Sequence, residues 1–202
     1  MTIKIYQTLE DRNNPQEIVS DGPFECKRSD AWLGNGFYFW ENYFEHAKWW
    51  GSKGCNDNYV ICSAFYDNNE SFCFNLIDNY EHLEFLEELN LAVKAKRRKP
   101  VYIPQLIELL KRQGLFKYDA IRAPSLEAIS DPLYVKYKPK HKARIFLRPL
   151  NQVCFIKKKN RLNLRDYKIV YYPVQTPVYG YVLLLCVCIC PCQHLPAQSL
   201  LL

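Results

Sequence analysis

The sequence predicts an α+β fold. Strand-like runs outnumber helical ones and do not alternate with them as parallel βαβ units would. No G-x-G-x-x-G follows a strand, and no G-x-x-x-x-G-K-[S/T] is present, so neither a Rossmann fingerprint nor a P-loop is supported. The chain has 202 residues, of which 49% are hydrophobic and 15% aromatic, enough for one domain with a real core. Seven glycines and one methionine argue against a low-complexity chain.

The first element is a strand at residues 2–8, "TIKIYQT", where apolar and polar residues alternate. "NNPQEIVSDG" (13–22) follows as a short helix, with Asn14 as N-cap, Pro15 at the first position and Gly22 as its stop. "LGNGFYFW" is glycine-punctuated and then β-like, after which "ENYFEHAKWWG" turns to helical spacing. "NYVICSAFY" and "SFCFNLI" read as two strands around the turn "DNNE". Helices over 79–95 and 103–114 come next, the second closed by Gly114. Strands at 118–123, 143–147, 152–158 and 167–172 complete the domain, which is expected to span 1–174.

The remainder, 175–202, is different in kind. Its thirteen nearly continuous apolar residues at 178–190 fall short of the roughly 20 needed to cross a bilayer, and the segment is expected to lie outside the main fold. Its alternating "CVCICPC" has no flanking histidine or carboxylate, so no metal is expected. The other five cysteines are scattered without a CxxC pair, the pattern of reduced thiols in a cytoplasmic protein. The N-terminus lacks the apolar core of a signal peptide, which fits the same location. A net charge of +6 permits anionic partners without requiring them. The Lys/Arg runs 94–99, 136–144 and 157–161 are the places where such a partner, including nucleic acid, would be held.

The densest signal is "AWLGNGFYFWENYFEHAKWWG" (31–51). Alternation puts Phe37 and Phe39 on one side of a strand and Tyr38 and Trp40 on the other. In the helix that follows, Tyr43, Ala47 and Trp50 share a face and read as packing residues. Packing explains fewer of the features before the strand, where Gly34 and Gly36 allow positive φ or a close backbone approach. Glu10 and Asp11 can reach a cleft beside the first strand, and Arg122 suits either a pyrophosphate or a structural ion pair. His82 sits in an acidic helix and reads as solvated.

"LGNGFYFWENYFEHAKWW" resembles the second signature of the ADP-ribosyltransferases of the diphtheria-toxin and poly(ADP-ribose) polymerase type, a glycine-bracketed aromatic strand leading into a helix. The resemblance implies a split, mostly antiparallel β fold that binds NAD in the cleft between two sheets. It implies that Tyr38 stacks on nicotinamide, that Trp49, eleven residues on, closes the other face, and that His46 meets the carboxamide. Gly34 and Gly36 belong to the same NAD-binding motif. The family's first signature ends in His-Gly, where this chain has Gln7 and Thr8, and the late glutamate corresponds to Gln152. Both glutamines can hold a ribose, but neither carries the charge that would steady an oxocarbenium-like transition state. The expected activity is transfer of a single ADP-ribose from NAD to a macromolecular acceptor with release of nicotinamide, as in small toxin-like glycosyltransferases. The alternatives are a non-catalytic NAD, ADP-ribose or nucleic-acid binding module, and a plain interaction domain.

Overall fold

The computed structural model describes residues 1–125, 134–136, 144–156 and 162–172. They form an α+β architecture with a mixed seven-stranded sheet and four helices. The segment 175–202 and the run 157–161 lie outside the described residues, as does most of 136–144.

Strand β1 (Thr2–Glu10) pairs antiparallel with β3 (Tyr59–Asp67) over nine residue pairs, from Thr2–Asp67 to Glu10–Tyr59. β2 (Phe37–Glu41) pairs antiparallel with β8 (Asn151–Phe155), and β8 with β5 (Ala120–Pro124). β4 (Cys73–Asn75) adds in parallel to β5, and β9 (Arg165–Tyr171) closes the far edge against β3, giving the order β4-β5-β8-β2-β1-β3-β9. β6 (Tyr134–Lys136) and β7 (Arg144–Phe146) form a separate two-stranded ribbon. The expected turn at "DNNE" does not join a hairpin. β3 and β4 stand in opposite halves of the sheet, because β4 finds its partner in β5, more than forty residues later.

Helix α1 (Pro15–Asp21) begins behind Asn14 and ends at Gly22, as its capping residues suggest. It drops Ile18 onto Val60 and Cys62 of β3. On the opposite face, α2 (Phe44–Gly54) lays Ala47 against Tyr6, Trp40 and Ile61. α4 (Ile103–Arg112) packs Ile107 against Phe74, Ile121 and Cys154, with α3 (Tyr80–Arg97) outside it. No residue of α3 is buried, and His82 is what ties it down. Its Nδ1 accepts from the Asn75 N–H at 2.9 Å while Nε2 meets the Tyr118 hydroxyl at 2.9 Å, so the histidine expected to be solvated is a structural staple.

The joint between β1 and β2 positions everything that follows. These central strands pair at only two positions, Ile5–Glu41 and Tyr6–Trp40. Beyond Tyr6 the ladder stops, so Gln7–Glu10 and Phe37–Phe39 diverge with their facing edges unpaired to each other. A buried network bridges this weak joint on the face that carries Phe37 and Phe39. The Glu41 carboxylate, fully buried, accepts from Arg122 Nε at 2.7 Å and Nη2 at 2.9 Å, and from the Tyr66 hydroxyl at 2.7 Å. One side chain at the end of β2 thereby reaches both β5 and β3 across their intervening strands. Of the two readings of Arg122, the structure shows the ion pair.

Candidate functional site

A cavity of about 1080 Å³ opens where β1 and β2 part. Tyr38, Trp40, Trp32 and Trp50 supply aromatic walls, and Gln7 and Gln152 line it as well. Its rim is the 22–36 loop, which enters the gap between the two strands.

That loop is held by a side chain acting as a strand partner. The buried Gln7 amide donates from Nε2 to the Phe24 carbonyl at 2.8 Å and accepts the Phe24 N–H at Oε1, 3.1 Å. The same Oε1 accepts the Tyr167 hydroxyl at 3.0 Å. Two residues on, Cys26 exchanges backbone bonds with Gly36 at 2.8 and 3.2 Å, which fastens the loop to the lead-in of β2. Replacing Gln7 with leucine removes both of its hydrogen bonds to the Phe24 peptide groups in a half-buried setting. The expected loss is about 1–3 kcal/mol of unfolding free energy, read by urea denaturation.

The two motif glycines have separate reasons. Gly34 sits at φ +87°, and its carbonyl accepts the Tyr38 hydroxyl at 2.7 Å. Gly36 presses on β8, where an added Cβ would lie 2.6 Å from both the Cys154 sulfur and the Phe155 carbonyl oxygen. Neither lines the cavity; both shape the turn that does. The Tyr38 hydroxyl also accepts the Leu33 N–H at 2.9 Å, so the hydroxyl end of this ring is anchored by two bonds. Burial pushes its pKa far above the usual range, and the phenol stays protonated.

Gln152 stands beside Tyr38's strand in register with Trp40, and its Oε1 accepts the Trp32 indole N–H at 2.7 Å. That bond fixes which end of the amide is oxygen. Gln152 lines the cavity, and its Nε2 has no hydrogen bond to another described residue. Thr8 also lines the cavity, yet its hydroxyl is given to the Ala47 carbonyl of α2 at 2.8 Å. Asp11 is tied to Asn13 and Tyr172, while Glu10 pairs with Arg12 at the rim.

Two more of the expected residues lie off the cavity. Trp49 does not line the cavity; it packs edge-on behind Trp40 with ring centroids 5.9 Å apart. The indole that reaches the cavity is its neighbour Trp50, which the sequence reading assigned to packing. His46 is fully buried between Trp40 and Tyr43, away from the cavity wall, and both ring nitrogens lack hydrogen-bond partners among the described residues. Burial, assisted by Arg148 and opposed by Glu45, pushes its pKa down to about 4 from 6.5.

The described cysteines are free thiols. Burial pushes Cys62 up to about 11 and Cys73 and Cys154 up to about 12, so these three are protonated core groups rather than nucleophiles. Cys26 and Cys55 are half-exposed and line the cavity. Among the described residues no group of three or more histidine, cysteine or acidic side chains could hold a metal ion, and no helix is long and apolar enough to cross a membrane.

Taken together, the walls offer flat aromatic surfaces, a pinned phenol, the Gln152 amide and a charged rim. Sequence reasoning missed Trp50, Trp32 and the Gln7–Phe24 clasp. No protein-family model, curated protein or solved structure matches this chain.

Proposed function

We propose that the cavity binds NAD and that the protein transfers a single ADP-ribose to a macromolecular acceptor with release of nicotinamide. The observation that carries this reading is the opening between β1 and β2, with an immobilised Tyr38 and the Gln152 amide on one wall. The volume of about 1080 Å³ suits a ligand as large as a dinucleotide. Tyr38 would stack on the nicotinamide ring, with Trp50 in the place assigned from sequence to Trp49, and Gln152 Nε2 would donate to a ribose hydroxyl. Bond cleavage sends the N-glycosidic electron pair to the nicotinamide nitrogen, and an acceptor oxygen or nitrogen then attacks the ribose carbon and gives its proton to water. In this scheme the chain contributes position and desolvation rather than a charged partner from β8. The proposed setting is the cytoplasm, where free thiols such as those of the described cysteines stay reduced.

A second reading, NAD or ADP-ribose binding without turnover, is favoured by Gln7. Most of its amide's hydrogen-bonding capacity is used by Phe24 and Tyr167, which leaves little for a ribose. Nucleic-acid binding has one described basic run to rest on, residues 94–99, at the exposed end of α3.

The test is incubation with NAD labelled in the nicotinamide and in the adenine, following release and attachment separately. Tyr38→Ala is expected to lower nicotinamide release at least tenfold, the range of a lost aromatic stack. Release at the parental rate would remove the stacking assignment. Tight binding with neither release nor attachment would select the second reading.

A further inference from the structure

We infer that Arg28 is a diphosphate anchor of the cavity, held in reserve by Asp30. This deepens the proposed NAD reading and rests on it. Three cations line the cavity among the described residues, Arg12, Lys27 and Arg28. Arg12 and Lys27 pair with Glu10 and Glu25 and have side chains 75% and 71% exposed, whereas Arg28 is 53% exposed. Its guanidinium lies over the indole of Trp50, 5.8 Å from the ring centroid, and Trp50 is itself a cavity wall. A guanidinium over an indole face is a cation–π contact that arginine makes more often than lysine, and it leaves the polar N–H edge available.

The polar edge of that plane is already engaged in anion recognition. Arg28 Nε and Nη2 each donate at 2.8 Å to separate oxygens of Asp30. Two parallel N–H groups meeting two oxygens is the geometry in which arginine binds phosphate. Asp30 is only two residues away in the same loop and is largely exposed, so the carboxylate can swing into water when a better anion arrives. The loop is tied on its N-terminal side, where Gln7 holds Phe24 and Gly36 holds Cys26. A nucleoside diphosphate reaching into the cavity would therefore exchange with Asp30 on a guanidinium that is already aimed.

An ordinary surface ion pair and a reserved anion site differ in the sign of one mutation. Calorimetric titration of the full chain with ADP, with adenosine as the phosphate-free probe and NAD in parallel, reads the difference. Arg28→Gln is expected to weaken ADP binding about tenfold to a hundredfold. Asp30→Asn is expected to strengthen it about threefold to tenfold, since the competing carboxylate is gone. Adenosine binding should change with neither. If both variants weaken ADP alike, or neither changes it, Arg28 is not the anchor, and measurable NAD binding by the parent would leave the cavity assignment intact. If the parent binds neither ADP nor NAD, the anchor and the NAD reading fall together. Circular dichroism of both variants checks that the exposed substitutions leave the fold in place.

Discussion

Glu41→Gln is expected to lower the unfolding free energy by about 3–5 kcal/mol. Glutamine keeps the shape but leaves the Arg122 guanidinium, only 9% exposed at its side chain, without its countercharge. Asp78, 3.9 Å from Nη1 and mostly exposed, is too distant and too solvated to replace it. The penalty comes from an orphaned buried charge rather than from the net worth of the pair, so removing both partners should recover most of it. The double substitution Glu41→Met with Arg122→Met is expected to lie closer to the parent than to Glu41→Gln, as measured by urea denaturation. A Glu41→Gln loss below about 1 kcal/mol would mean that the network does not brace the sheet. Because this clamp spans the joint where β1 and β2 share two residue pairs, its loss should also loosen the cavity on the other face.

His46 is expected to dominate acid sensitivity. Its folded pKa of about 4 lies below the ordinary value of 6.5, so between those values the unfolded chain takes up a proton that the native ring refuses. Above pH 6.5 the ring is neutral in both states and the full stability is present. As pH falls toward 4 the stability contribution is lost, on the order of 3 kcal/mol in all. His46→Leu, of similar volume and with no orphaned ring nitrogens, should flatten that part of the profile while leaving stability at pH 7 within about 1.5 kcal/mol. Urea midpoints from pH 7.5 to 4 read the difference. Parallel profiles for parent and variant would show that the ring is not the titrating group.

Much of the secondary structure was legible because periodicity is local. Alternation in "TIKIYQT" and "FYFW", and the Asn14-Pro15 start of α1, announce their elements within a few residues. What was not legible depends on pairing across the sheet. β4 sits close in sequence to β3 and yet adds to β5, and no short-range pattern could disclose that. The exchange of Trp49 for Trp50 has a similar cause. Helical spacing says which residues share a face but not how the helix is rolled against the sheet, and here the roll puts Trp49 behind Trp40. Gln7 looked like a ribose ligand because its bonding to a loop seventeen residues away leaves no trace in composition. One signal was there to be found. Period-two alternation puts Glu41 on the same face as Phe37 and Phe39, and a carboxylate aimed into an aromatic core must have a cation waiting.

The central claim is that the opening between β1 and β2 is an NAD site, and the intrinsic fluorescence of its tryptophans is the direct probe. Trp32, Trp40 and Trp50 all line the cavity, so titration with NAD is expected to quench their emission saturably. The same titration of Tyr38→Ala should require at least tenfold more NAD. Emission that stays flat into the millimolar range, or a Tyr38→Ala curve that overlays the parent's, would contradict the account.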